Sequence, residues 1–425
     1  MRIAYVTQWF PPEQRTTVPA AIADGLAARG HEVDVVTGFP NYPTGKLHVD
    51  FPLRWYRRDV RSEHVTVHRA PLYPSHSRSA SRRSVNYISF AASSAWTSRR
   101  RLLRPDVWLT YSSPATAGLA AASAPRRLRS PSCLIIQDLW PDSVTDSGFV
   151  AGRLGRVAEG ALSRFCEWIY RRSDAIGVIS PGMRDILVNR GVPPWKIYDT
   201  PNWVDGTSLE LEATASDLRQ SLGLPPGRLF MYAGNLGELQ GLGPLVEAFA
   251  QCPLAQLVLV GDGVAQPELK RLRSERGLAN VHFIPPQDSV RIGRYIAASD
   301  VQIVSLKDTP LLRATMPSKV QASMAAGRPV LAHAPGDVAE LVAGAGAGLA
   351  APPGNVERTA AAIRQFCSMD ADQLRQWGQA ARRCYDERFS PTAGVARLED
   401  MLVAAIDRRG GHVRRQDRDP SGVTA

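Results

Sequence analysis

Twice along its length the chain alternates short runs of Val, Ile and Leu with amphipathic segments of helix length, and few folds accept that pattern. "RIAYVT" (2–7) reads as a strand and "TVPAAIADGLAARG" (17–30) as a helix closed by Gly30. Strands follow at 31–38, 106–112 and 131–138, and 174–191 reads as strand, turn and helix. Then the series restarts. "LFMYAGNLG" (229–237) is a strand entering a Gly-rich turn, a helix covers 241–251, and strands recur at 255–263, 280–286, 300–306 and 328–333. Strands apolar on both faces and separated by helices require a parallel sheet covered on both sides. Two such series predict an α/β protein of two doubly wound parallel-sheet domains, and 425 residues are too many for one core.

The break falls in "DTPNWVDGTSLELEATASD" (199–217), polar and rich in turn formers, with the hinge at 205–215. This reading divides the chain into a first domain over 1–205 and a second over 206–389. A C-terminal helix follows over 390–407, started by Ser390 and Pro391. The basic tail 408–425 lacks periodicity and reads as disordered.

Net charge is +11, and its location says more than its size. Residues 54–104 alone carry 12 basic and 2 acidic side chains. Arginines interleaved there with Trp55, Tyr56, Tyr87, Phe90 and Trp96 suit the surface of an anionic bilayer; a solvated arginine-rich face fits the same count. No nucleic-acid-binding motif accompanies the charge, so nucleic acid is not expected as a partner. No apolar run reaches the ~18–20 residues of a membrane span, and the N-terminus reads as a strand rather than a signal peptide. Five scattered cysteines without a CxxC pair read as buried free thiols in a reducing cytoplasm.

Only five of the 51 basic residues are lysines, and one of them, Lys319, stands at a helix start in "MPSKVQASMAAGRPV" (316–330). Ligands of open parallel sheets bind beyond the carboxyl ends of the strands, where glycine admits close backbone approach and helix N-termini favour phosphate. Three such elements recur in the second half: 234–237, 261–263 and 317–319. Lys319 is therefore expected to meet a diphosphate approached also by N–H groups at Gly234–Gly237. A nicotinamide dehydrogenase is excluded because "VTQWFPPEQRTT" lacks G-x-G-x-x-G after the first strand, and no P-loop occurs. No His, Asp or Cys cluster has metal-ligand spacing.

The ordered string "AGNLGELQGL…LVEAF…LVLVGDG…NVHFIPP…SDVQIVSL…PSKVQASMAAGRPVLA" resembles the donor-binding half of family 4 glycosyltransferases. "FPPEQ", "LAARGHEVDVVTGFPNYPTG", "QDLWPDS" and "PNWVD" are similar to the branch that builds bacterial capsules, exopolysaccharides and O-antigens. The resemblance spans about residues 1–400 and implies the GT-B fold, two Rossmann-like domains with an interdomain cleft. It implies a retaining, metal-independent transfer from a nucleotide-sugar donor to a glycan or polyprenyl-diphosphate-linked acceptor, in the cytoplasm or at the inner face of the plasma membrane. No cofactor is implied, the nucleotide-sugar being substrate. The first domain would take the acceptor and the second the donor. By resemblance Gly234, Asn235 and Gly237 sit at the donor diphosphate, Gly261, Asp262 and Gly263 line the nucleotide, and Phe283 and Ile284 read the base. Pro317, Ser318 and Lys319 open the helix that faces the phosphates. Asp138, in "QDLWP", holds a sugar or acceptor hydroxyl and is with Lys319 the expected catalytic group; Glu13 approaches the diphosphate or the acceptor.

Four departures stand against that pattern. Ala322 and Ala314 occupy the places of the family's Glu-x7-Glu pair, and neither can hydrogen-bond a hydroxyl. Gln240 replaces the usual lysine after "GNLG", leaving Lys319 as the main lysine, with Arg313 and Lys307 as substitutes. "PPEQRTT" stands where relatives have Gly-Gly, and Gln137 where many have His. These departures keep two alternatives in view: a non-catalytic sugar-nucleotide-binding or scaffold protein of the same shape, and a nucleotide-sugar epimerase.

Overall fold

The structure, a computed structural model, describes residues 1–13, 17–77, 79–102, 104–123, 130–142, 152–206, 219–220 and 222–416. It comprises two units, Met1–Thr200 with Gly394–Ala425, and Pro201–Ala393.

The first unit holds an eight-stranded sheet in the order β3-β4-β2-β1-β5-β6-β7-β8. Its strands are β1 (Arg2–Val6), β2 (Glu32–Gly38), β3 (Arg57–Ser62), β4 (Val65–Ala70), β5 (Val107–Ser112), β6 (Ser132–Ile136), β7 (Ala175–Val178) and β8 (Ile197–Asp199). All pair in parallel except β3 with β4. Every residue of β6, "SCLII", is buried, as a strand covered on both faces must be. Helix α1 (Thr17–Ala28) follows β1, and helix α2 (Ala80–Arg101) precedes β5.

The β3–β4 hairpin was not legible in sequence. "RRDVRS" reads as charge, and charged side chains are what an edge strand carries to discourage further pairing. The hairpin also corrects the picture of residues 54–104 as one basic surface. Arg57 and Arg69 both pair with Asp59, at 2.7 and 2.9 Å, and Arg61 grips Asp24 of α1. The aromatic residues separate likewise: Trp55 and Trp96 are exposed, Phe90 is fully buried, and Tyr56 bonds His68 Nδ1 at 2.9 Å.

The second unit is a six-stranded parallel sheet ordered β11-β10-β9-β12-β13-β14. Its strands are β9 (Arg228–Ala233), β10 (Ala255–Val260), β11 (Val281–Ile284), β12 (Val301–Ser305), β13 (Val330–His333) and β14 (Gly348–Ala351). Phe230, Phe249 and Phe366 meet edge to face in its core, with ring centroids 5.3 and 5.8 Å apart.

The boundary lies earlier than the expected hinge at 205–215. Residues 201–206 are fastened to the second unit: Gln321 Nε2 donates to Asn202 O at 2.8 Å, while Tyr385 Oη donates to Val204 O and accepts the Gly206 N–H. Residues 207–215, the rest of the expected hinge, lie outside the described residues. The C-terminal helix also differs. It runs Pro391–Gln416, past the expected end at 407, and belongs to the first unit from Gly394 onward. Arg408 explains the extension, its guanidinium lying 5.2 and 5.3 Å from the Trp195 and Tyr198 rings and donating to Trp195 O at 2.9 Å. Arginine stems cover aromatic surface, so charge here marks a contact and not a tail. The remainder of the tail, 417–425, lies outside the described residues.

The five cysteines are free, four of them buried, and burial pushes the Cys166 thiol up to about 12. No described helix is long and apolar enough to cross a membrane.

Candidate functional site

Topology marks one place in each sheet. In the second unit the chain lays β10 and β11 on one side of β9, then returns to lay β12 on the other. Loops leaving β9 and β12 therefore part in opposite directions, and the space beyond their carboxyl ends is the switch point where ligands of such sheets bind. In the first unit the same reversal falls between β1 and β5.

The "GNLG" turn leaves β9 at its switch point. Gly234 has φ +135° and Gly261 φ +142°, conformations that side chains oppose. A Cβ on Gly234 would stand 2.5 Å from Lys319 Cε and 2.8 Å from Nζ, and one on Gly261 would strike the Gly234 carbonyl. Absence of side chains thus lets the two glycine turns interlock and brings the lysine against the first. Three of the turn's N–H groups, those of Gly234, Leu236 and Gly237, do not face outward as expected. Gly234 N donates to Val260 O and Leu236 N to Asp262 O, each at 2.8 Å, and Gly237 N donates to Gln240 Oε1 at 3.1 Å. Gln240 also accepts from Asn235 Nδ2 at 3.4 Å. In place of a second cation, Gln240 is a clasp that holds the turn closed.

Lys319 sits in the first turn of the helix Ser318–Ala325, behind Pro317, and that N-terminus has no side-chain cap. Its ammonium lies 4.0 Å from the centroid of the Tyr232 ring and donates to Tyr232 Oη, which donates in turn to Asn235 O at 2.7 Å. Among the described residues no carboxylate pairs with it. Burial lowers its pKa to about 8, because little water remains to solvate the charge. A half-buried ammonium without a counter-ion, beside uncapped helix N–H groups, is arranged to receive an anion.

The remaining donor-side residues take lesser places. Asp262 Oδ1 accepts its neighbour Gly263 N–H at 2.7 Å, and Ile284 O accepts the Gly261 N–H at 3.0 Å. Phe283 lies under Lys270, 5.7 Å from its Nζ. Arg313 is exposed and held two-pronged by Asp308 at 2.6 and 2.9 Å, so it is a poor substitute cation. Lys307 is exposed beside Gly241, its N–H on Leu239 O. Ala314 is buried and Ala322 half-buried.

Tyr232, Ser305 and His333 were missed in sequence. Ser305 Oγ donates to Gln240 O at 2.6 Å, so His333 Nδ1, 2.8 Å away, must donate to Ser305. His333 Nε2 is left buried without a partner among the described residues, and burial lowers the ring's pKa to about 4. The ring is neutral at pH 7 and fastens the Gln240 turn to β12 and β13. Tyr232, directly before "AGN", was the one legible signal.

In the first unit Asp138 is exposed beyond β6, and its Oδ2 accepts from Ser113 Oγ at 2.9 Å. Gln137 is half-buried beside it. Glu13 does not face outward toward a ligand. Its carboxylate is 7% exposed and accepts the N–H groups of Phe10, Asn41 and Tyr42 at 3.1, 2.8 and 3.0 Å. Burial outweighs those bonds and the nearby Arg69 charge, raising its pKa to about 7. Residues 14–16, the rest of that loop, lie outside the described residues.

Two family models match this chain: a glycosyl transferase 4-like domain over residues 15–203 and glycosyl transferases group 1 over residues 215–384. The putative colanic acid biosynthesis glycosyl transferase WcaI of Escherichia coli (strain K12) is 29% identical over 359 residues, covering 81% of this chain and 86% of its own. The probable glycosyltransferase WbjE of Pseudomonas aeruginosa is 25% identical over 311 residues, 72% of this chain and 75% of its own. The crystal structure of Anabaena Alr3699/HepE in complex with UDP superposes with a TM-score of 0.69 at 18% identity, over 95% of this chain and 100% of that one.

Proposed function

We infer a function from one premise: the chain belongs to the group 1 glycosyltransferases, with a glycosyl transferase 4-like domain preceding the group 1 domain on a GT-B fold. It moves a sugar from a nucleotide-sugar donor to a lipid-linked glycan acceptor during the synthesis of a cell-surface polysaccharide, as the names of WcaI and the resemblance to the capsule branch suggest. The observation that carries this reading is the Lys319 ammonium, without a carboxylate partner among the described residues, at the β9/β12 switch point and packed on Gly234.

Glycosyl transfer develops negative charge on the departing nucleoside diphosphate and oxocarbenium character on the sugar. Preorganised positive groups aimed at the former give the larger stabilisation. Lys319 and the N–H groups of its helix supply that charge, and the transfer needs no metal. Asp138 holds an acceptor or sugar hydroxyl. The configuration is retained, the donor phosphate taking the acceptor's proton on the face from which the leaving group departs. No protein carboxylate nucleophile is then required.

The acceptor is met at the inner face of the plasma membrane. On α2 the outward face carries Val85, Ile88 and Trp96, with Arg82 at one end and Arg99 and Arg100 at the other. An apolar strip between arginines is what an anionic interface accepts.

One observation favours a non-catalytic donor-binding protein instead: Gln240 closes the turn where a second cation is usual, and the carboxylate pair is Ala314 and Ala322. The two readings part on turnover. A thermal-shift screen of UDP-, GDP- and dTDP-sugars is expected to show one selective stabilisation, about 2.7 kcal/mol at 100 times Kd. Acceptor extract is then expected to release nucleoside diphosphate. Binding without release favours the non-catalytic reading, and failure of every nucleotide-sugar to bind removes both.

A further inference from the structure

Four aromatic side chains converge over the carboxyl edge of the first unit's sheet. Trp9 comes from the loop after β1, Tyr42 from the loop after β2, Tyr87 from α2 and Trp140 from the loop after β6. Their centroids form a chain, Tyr42 to Trp9 at 5.5 Å, Trp9 to Tyr87 at 6.4 Å and Tyr87 to Trp140 at 5.9 Å, with interplanar angles of 46°, 77° and 59°. Each is half-buried. Rings in a core are buried outright, and single exposed aromatics are scattered. Four contiguous, half-exposed rings at a topological switch point are neither, and such patches mark ligand-binding grooves.

We propose that Trp9, Tyr42, Tyr87 and Trp140 form a saccharide-stacking subsite, with Glu13 as its positioning residue. The proposal deepens the acceptor side of the function inferred above and rests on it for the name of the ligand's role, not for the binding itself. The chemistry selects a pyranose. One face of a pyranose is a sheet of C–H bonds that packs on an aromatic face, while its hydroxyls need polar groups at the rim. The rim supplies them: the Asp138 carboxylate with the Ser113 hydroxyl beside Trp140, and the Tyr87 hydroxyl, which accepts from Arg83 at 3.0 Å. A nucleobase sandwiched between two rings would need a near-parallel pair, and none of these pairs is parallel. An isoprenoid tail would prefer a lining without a carboxylate.

Glu13 ties the arrangement together. One oxygen accepts the N–H groups of Asn41 and Tyr42 and the other that of Phe10, which follows Trp9. The two loops that carry neighbouring rings are thus bound to one buried side chain.

The test is saturation-transfer difference NMR on the purified full chain, irradiating aromatic protons with methyl glycosides of glucose, galactose, mannose and fucose as probes. Trp9→Leu and Trp140→Leu keep apolar bulk without a π-face, and Trp195→Leu is the control. Transfer to the C–H protons of one sugar face is expected for at least one glycoside. It should fall at least fivefold in Trp9→Leu and Trp140→Leu and stay level in the control. Glu13→Gln, which loses one acceptor oxygen, should weaken glycoside binding at least threefold, while nucleotide-sugar thermal shifts remain as in wild type. No transfer from any glycoside, transfer that survives both leucine variants, or displacement by geraniol in preference to any sugar overturns the proposal. Nucleotide-sugars failing to bind while glycosides stack would overturn the donor reading and leave this subsite standing.

Discussion

Lys319, half-buried, and Glu13, buried, are both ionisable groups, and burial moves their pKa values in opposite directions. The pKa of Lys319 falls from 10.5 to about 8. Between those values the unfolded chain binds a proton that the native state does not, so stability rises with pH across the window, and below pH 8 the charge is a net cost. Lys319→Met is therefore expected to leave Tm unchanged or raised at pH 7 while turnover falls at least tenfold, about 1.4 kcal/mol of transition-state stabilisation. A large drop in Tm with normal turnover would make this lysine structural. The pKa of Glu13 rises from 4.5 to about 7. The native state then holds the extra proton, and stability present below pH 4.5 is lost as pH climbs to 7. Comparing the free energy of unfolding at pH 5 and pH 8, Glu13→Gln should shrink the difference by on the order of 1–3 kcal/mol. An unchanged difference would place the titration elsewhere. Gln240 makes the complementary point: its identity announced a missing cation, but only its hydrogen bonds to Gly237 and Asn235 showed what it does instead.

The C-terminal helix Pro391–Gln416 is the element whose allegiance the sequence left open. It follows the second sheet in the chain yet packs on the first, burying Val395, Leu398, Met401 and Leu402. Glu399 joins it to Arg29 and to His31, the latter at 2.7 Å. Four such side chains contribute about 1.5–3 kcal/mol each, together comparable with the whole stability of a domain. Ending the chain after Ser390 should therefore unfold the first unit. Limited proteolysis would then degrade residues 1–200 and leave a protected fragment of the second. Retained protection of both units would show the helix to be dispensable. Its periodicity was readable, because buried positions recur every three or four residues. Its partner was not, because an amphipathic stripe fits any apolar face of the right width.

At the scale of the whole molecule, charge is where composition and structure diverge most. The excess in residues 54–104 is real, but Arg57, Arg61 and Arg69 are consumed in ion pairs, and the exposed arginines outside those pairs include Arg54 and Arg58 near β3 as well as Arg82, Arg99, Arg100 and Arg101 at the ends of α2. Replacing Arg99, Arg100 and Arg101 by Gln should lower partition onto phosphatidylglycerol vesicles at least tenfold, since each basic residue near such a surface is worth about 1 kcal/mol. Unchanged partition would leave α2 a solvated face. Two largely parallel sheets, their central strands and the glycine turns beyond them were already determined by the sequence, while the β3–β4 hairpin and the edge strands β8 and β14 were not. Strands buried on both faces are predominantly apolar, and turns with φ near +135° to +142° favour glycine, so local chemistry records both directly. The meeting of Lys319 with Gly234, the clasp of Gln240, the inward turn of Glu13 and the gathering of Trp9, Tyr42, Tyr87 and Trp140 were decided only by the tertiary structure. The clasp of Gln240 is local to its own turn; the other three join residues whose separation in the chain carries no periodic signal, and the strand order of the folded sheets brings them together.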